Sequence, residues 1–214
     1  IAKVADIPLT FSGTAESMIK NILPSVLAAV ISGFATEVIA EGLKSFLPSA
    51  ETTPGRMNLF RFRNFRIMVD YAHNEGGFID LKKYLSQVKA PLKTGIVAGT
   101  GDRRDEDIRN VGKYAAQMFD EIIIRNDKDS RGRPFEQMNA LILEGIRSVN
   151  ENIPVKMIPD EFDAICHAIS QAPKDGFILV CADHVLSTVA FVKEMHEREK
   201  TQPINSLLSI KHFQ

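Results

Sequence analysis

From residue 57 onward short apolar runs alternate with longer amphipathic stretches, and that rhythm leaves few folds open. The runs Gly95-Ile-Val-Ala98 and Phe177-Ile-Leu-Val180 are continuously apolar, as strands covered on both faces must be. Further strands are expected at 57–62, 66–71, 121–125 and 155–158, with the two runs extended to 94–98 and 177–181. Helices are expected between them, at about 77–88, 105–118, 135–150, 160–171 and 185–198. Strand–helix alternation predicts an α/β fold, a mostly parallel sheet with flanking helices. Only Arg63-Asn-Phe65 separates the first two strands, too little for a crossover, so that pair is expected as an antiparallel hairpin.

The opening fifty residues read differently. Residues 4–11 read as a short strand, with Pro8 favouring an edge. Helices are expected at about 22–31, with Pro24 in its first turn, and at 36–46. In the second, Val38, Ile39, Leu43 and Phe46 recur at helical spacing and predict a buried face. The polar, Pro-punctuated stretch Pro48-Ser-Ala-Glu-Thr-Thr-Pro54 is the expected domain boundary, dividing 1–53 from 54–214. The tail after Lys200 shows no period.

Formal charge is −1, with both signs scattered, so no basic tract points to nucleic acid or an anionic membrane. The most apolar stretch, 22–34, is interrupted by Pro24, Ser25, Ser32 and Gly33 and falls short of a membrane span. Cys166 and Cys181 are too few for a disulfide framework, which predicts a reducing, cytoplasmic home. With His167 and His184 they lack the paired spacing of a structural zinc site, and no metal is expected on them. A first residue Ile1 in place of methionine suggests a piece of a longer protein.

Ligands of open α/β sheets sit beyond the carboxyl ends of the strands. The segments there are Asp70-Tyr-Ala-His-Asn74, Gly99-Thr-Gly-Asp-Arg-Arg104, Asn126-Asp-Lys-Asp-Ser-Arg-Gly-Arg133, Pro159-Asp-Glu161 and Ala182-Asp-His184. Each alone reads as well as helix capping. Together, four of the five mix carboxylates with basic or imidazole groups, which points to a site. Gly99-Thr-Gly-Asp-Arg-Arg104 lacks the Gly-Lys-Ser/Thr ending of a phosphate loop, and no other segment supplies one.

Gly55-Arg56 followed by Ile67-Met-Val-Asp70-Tyr-Ala-His-Asn74 resembles the Mur-ligase superfamily. Carboxyl-terminal domains of that superfamily open with Gly-Arg and then carry a strand ending in Asp-Tyr-Ala-His-Asn-Pro. The strings Pro54-Gly-Arg-Met-Asn-Leu-Phe60, Gly99-x-Gly-Asp-Arg-Arg-Asp-Glu-Asp107 and Asp127-x-Asp-x-Arg-Gly-Arg133 are similar to its cyanophycin-synthesising branch. The resemblance implies a Rossmann-like carboxyl-terminal domain, preceded in 1–53 by a small helical remnant of the central ATPase domain. It implies an ATP- and Mg2+-dependent ligase that forms an acyl phosphate and joins an amino acid, arginine in this branch, to an aspartate-rich peptide. Asn21 matches the asparagine that approaches adenine, and Arg56 and Asp70 match residues near the ribose and phosphates. Beside them His73 is the catalytic candidate and Asn74 a further nucleotide neighbour. Asp102, Arg103, Asp127, Asp129, Arg131 and Arg133 face the incoming amino acid. A guanidinium there needs carboxylates, and Asp127 with Asp129 is the preferred pair, since Asp102 and Asp183 also read as helix caps. Glu75 stands where the family usually has proline, and Thr100 where it often does.

Other readings stay open at this point: a different Mur-type ligase, acting on a peptidoglycan precursor or a folylpolyglutamate, or a non-catalytic module that binds nucleotide or peptide. Oligomeric state is open too, a homo-oligomer included.

Overall fold

The computed structural model describes residues 1–202; the aperiodic tail falls mostly outside them. Helices α1 (Glu16–Ile31) and α2 (Thr36–Ser45) lead into a six-stranded sheet. Its strands and helices are β1 (Asn58–Arg61), β2 (Phe65–Asp70), α3 (Glu75–Leu85), β3 (Lys93–Val97), α4 (Asp105–Met118), β4 (Glu121–Ile124), α5 (Phe135–Arg147), β5 (Val155–Met157), α6 (Glu161–Gln171), β6 (Gly176–Cys181) and α7 (Val185–Glu199). The strand order is β1-β2-β6-β3-β4-β5. Only β1 runs antiparallel, paired with β2 as the short connection required, and the remaining neighbours are parallel.

Alternation along each strand divides the core in two. Met68, Val97, Ile122, Ile124, Phe177 and Leu179 face α3, α4 and α5. Ile67, Val69, Ile96, Ile123, Ile178 and Val180 face α6 and α7. Right-handed crossovers explain the split: α3, α4 and α5 step outward along the sheet on one face, and the return from β5 to β6 must cross the other. Because β6 sits between β2 and β3, chains leaving β6 and its neighbours part to opposite faces. That divergence opens a crevice at the carboxyl edge. Gly112 and Gly145 bring α4 against α5; a Cβ on Gly112 would lie 2.1 Å from the Ile142 carbonyl oxygen.

Three expectations need correction. Residues 4–11 are not a strand but two 3-10 turns, Val4–Asp6 and Pro8–Thr10. Buried Thr10 curls them, its hydroxyl donating to the Val4 oxygen at 2.7 Å and the Ile7 oxygen at 2.8 Å. Helix α1 begins six residues before its expected start, so Pro24 lies inside it rather than in a first turn. Proline there leaves one carbonyl without its helical partner, a tolerable loss because Pro24 is exposed. On α2 only Ile39 is buried, while Val38 and Phe46 are 56% and 42% exposed. Leu23, Leu27 and Ile31 extend the exposed apolar surface onto α1. The other differences are shifts of a few residues at helix and strand ends. No helix among the described residues is long and apolar enough to cross a membrane.

Candidate functional site

Two cavities meet at the carboxyl edge, on either side of the segment after β2. The first, about 370 Å³, is lined by Asn21, Arg56, Asp70, His73 and Asn74 among others. All five nucleotide-side and catalytic candidates therefore come together. Asp70 ends β2 buried, and its Oδ2 accepts a hydrogen bond from the Met57 amide at 2.9 Å. That bond holds the turn in which Gly55 and Met57 take positive φ, 69° and 52°. Asn58 secures the same turn, accepting from the Gly55 amide at 2.6 Å and donating to the Ser49 and Thr53 carbonyls. Burial pushes the Asp70 carboxyl above its ordinary pKa, against the pull of the Met57 amide and the Arg56 charge.

Arg56 is exposed, with its guanidinium 5.8 Å from the centre of the Tyr71 ring. No carboxylate lies within ion-pair distance of it among the described residues. It does not form a buried ion pair with Asp70. Asn74 caps α3, its Oδ1 accepting from the Gly77 amide at 3.0 Å. Glu75, the departure from proline, takes the first position of α3 and accepts from the Tyr114 hydroxyl at 2.8 Å. A carboxylate is favoured there by the helix dipole, so the departure leaves the turn intact. His73 Nδ1 lies 3.0 Å from the Tyr71 carbonyl oxygen. A carbonyl only accepts, so Nδ1 carries the proton and, in the neutral ring, Nε2 is open as an acceptor.

The second cavity, about 250 Å³, is lined by His73, Arg103, Arg125, Asp127, Arg131 and Asp183, with Thr100 and Cys181 at its walls. The remaining amino-acid candidates are placed differently. Asp102 pairs with Arg131 at 3.0 Å, and Arg133 pairs with Asp105 at 2.7 Å. These two bridges lock the 127–133 loop against the start of α4. Gly101 permits the approach, since a Cβ there would meet the Ser130 oxygen at 2.0 Å. Asp129 turns back on its own loop and accepts from the Arg131 amide at 2.8 Å; it does not line the cavity. The preferred pair of carboxylates is thus not presented together.

The residue the sequence reading passed over is Arg125. It lies just past the end of β4, and its side chain is 3% exposed. Nη1 reaches Asp127 Oδ1 at 2.6 Å and Nη2 donates to the Cys181 carbonyl at 2.7 Å. Nε sits 2.8 Å from Glu161 Oε2, a contact of charge outside hydrogen-bond alignment. One guanidinium so ties together the ends of β4 and β6 and the start of α6. Burial pushes the Asp127 carboxyl above its ordinary pKa; Arg125 pulls it down, and Asp183 and Glu161 push it further up. The signal was present as a charge closing the apolar run Glu121-Ile-Ile-Ile-Arg125. Cys181, at the cavity wall, is buried, and burial raises its thiol far above the ordinary value; burial also raises Cys166, to about 11. Neither is a reactive thiol.

Comparison with known proteins places this edge in context. The profile described as "Mur ligase, glutamate ligase domain" matches residues 55–184. The chain is 38% identical over 196 residues to a cyanophycin synthetase of Geminocystis herdmanii, covering 92% of the chain and 22% of that protein. It is 39% identical over 193 residues to one of Trichormus variabilis, covering 90% of the chain and 21% of that protein. The chain therefore spans about a fifth of the length of these curated relatives. Among solved structures, MurF from Acinetobacter baumannii superposes with a TM-score of 0.63 at 17% identity, over 85% of the chain and 38% of that structure. E. coli FolC in complex with DHPP and ADP gives 0.63 at 20% identity, over 85% and 39%. These two show a shared fold. With a family profile matched across most of its sheet, and with 38–39% identity to cyanophycin synthetases over nine-tenths of its length, the chain belongs to the Mur ligase family, as its glutamate ligase domain.

Proposed function

We propose that this chain forms the amino-acid-accepting half of an ATP-dependent amide ligase of the cyanophycin-synthesising kind, with residues 1–53 as the end of the nucleotide-holding domain. The observation that carries the reading is the position of His73, which lines both the Asn21–Arg56–Asp70 cavity and the Arg103–Asp127–Arg131 cavity. A residue common to both stands where a nucleotide-activated carboxylate and an incoming amine would meet.

When bound, ATP would supply the activation, its terminal phosphoryl passing to the acceptor carboxylate as an acyl phosphate, from whose carbonyl carbon the amine would displace phosphate to form the amide. The donor set fits a nucleotide: an amide at Asn21, a guanidinium without a carboxylate partner at Arg56, and a carboxylate at Asp70 for sugar hydroxyls. Arg56 faces anionic charge, and Asp70 keeps the turn that presents it. His73 Nε2 takes the proton that the amine nitrogen sheds as it bonds to carbon. Arg103 and Arg131 hold the carboxylate of the amino acid, arginine in this reading, or that of the aspartate-rich acceptor. Holding both reactants in register removes much of the entropic barrier. No three His, Cys, Asp or Glu side chains gather to hold a metal ion among the described residues. In this reading the phosphate loop, which the sequence lacks, and the principal ligands for Mg2+ come from another part of the parent protein.

The test uses a protein in which this chain is continuous with an upstream Gly-Lys-Ser/Thr region. Arginine-dependent growth of an aspartate-rich peptide with release of ADP is the expected result. Extension with glutamate or diaminopimelate in place of arginine would assign the chain to another ligase of the superfamily. In the same protein Arg56→Ala and Asp70→Asn are expected to cut ligation at least tenfold. Melting temperature should stay near that of the parent, because Arg56 is exposed and an asparagine oxygen can still accept from the Met57 amide. A large melting shift with normal ligation would make both residues architectural.

A further inference from the structure

The charges at the carboxyl edge do not close among themselves. Arg125 is committed to Asp127 and Glu161, and Asp102 is met by Arg131 through Nη1 alone, which leaves that guanidinium further donors. Asp183 alone among these carboxylates is left without an arginine. Its side chain is 20% exposed, and its closest charged group is His184 Nε2 at 3.5 Å. Nor does it cap a helix: α7 begins after His184 with no side-chain cap, and no hydrogen bond reaches the Asp183 carboxylate among the described residues. The residue faces two cavities, the 250 Å³ space containing Arg103 and Arg131 and a 270 Å³ space on the far side of Asp127.

We infer that Asp183 is the specificity-determining carboxylate of the incoming amino acid, receiving a cationic side chain while Arg103 and Arg131 hold the amino acid's own carboxylate. The inference rests on the reading of the site given above and names the charge its ligand must carry. Arg125 is a positioning residue in this account. By engaging Asp127 and Glu161 it keeps a cationic ligand off them, and it anchors the Cys181 carbonyl two residues before Asp183. One carboxylate therefore remains to pair with one cation. A largely buried carboxylate with no arginine and no hydrogen-bond donor selects strongly, because a neutral ligand would cover it without replacing the lost water.

The decisive comparison is L-arginine against L-citrulline, which has nearly the same shape and no side-chain charge. Each is titrated into the isotopically labelled 214-residue chain and followed by amide chemical shifts. Arginine is expected to shift the amides of Ala182 and Asp183 and to bind about tenfold or more tightly than citrulline, as a charge-assisted hydrogen bond allows. In Asp183→Asn, whose spectrum reports whether it is folded, that preference should vanish while citrulline binding stays the same. Equal binding of both ligands to the parent chain would overturn the inference, since it would put the shared α-ammonium at Asp183. So would absence of arginine binding, or a preference that survives in Asp183→Asn. ADP titrated into the same sample reports separately on the Asn21 and Arg56 amides. Nucleotide shifts without charge selectivity would remove the role of Asp183 and leave the ligase reading standing.

Discussion

Arg125→Met is expected to cost the fold roughly 3–5 kcal/mol, the usual penalty for removing one partner of a buried ion pair. The side chain it replaces is 3% exposed, and its partners Asp127 and Glu161 are 9% and 13% exposed. Both carboxylates stay largely buried at the junction of β4, β6 and α6, so water replaces the lost guanidinium only in part. Methionine fills a similar volume and supplies no charge, so the loss reads electrostatics rather than a cavity. The effect should also depend on pH. Burial already raises the Asp127 carboxyl above its ordinary value, with Arg125 opposing; without Arg125 it rises further. When the folded pKa exceeds the unfolded one, the native state holds the extra proton, and stability falls as pH rises between the two values. The deficit of the variant in thermal unfolding is therefore expected to be larger at pH 8 than at pH 5. An equal deficit at both would mean the guanidinium acts by packing alone.

The second large effect is on turnover. The 214-residue chain by itself is expected to release no ADP above a buffer blank and to form no amide bond. A triphosphate needs a cradle of backbone amides and a lysine, and no Gly-Lys-Ser/Thr segment occurs in the sequence. The glycine-rich turn at 99–104 does not replace it. Gly101 is spent on the contact with Ser130, and Arg104 pairs with Asp107 at 2.8 Å. Steady ADP release by the purified chain, lost in Arg56→Ala, would show instead that the site is complete.

Strands were the most legible part of this fold. Ile122, Ile123 and Ile124, or Phe177 to Val180, bury side chains on both faces, and a run with no polar face has few other uses. What escaped reading was local or distant chemistry without a period. Thr10 coils residues 4–10 through hydroxyl bonds to carbonyls three and six positions back, which no alternation reveals. The start of α1 carries no capping side chain at Ala15, so Pro24 is the strongest local mark of a helix start. That Asp70, His73 and Asn74 lie close together was legible because they share one motif, and they line one cavity. Arg125 was not, because its burial depends on Cys181, 56 positions later. Spacing likewise cannot tell that the Asp129 carboxylate turns back to the Arg131 amide.

We place His73 between nucleotide and amine, and substitution at that residue tests the placement most directly. In a protein that joins this chain to its phosphate-loop region, ATP-dependent arginine addition is measured for the parent and for His73→Ala. Loss of general-base assistance is expected to lower turnover by about 10²-fold or more, with the melting temperature and arginine affinity close to the parent values. Unchanged turnover in His73→Ala would contradict the account.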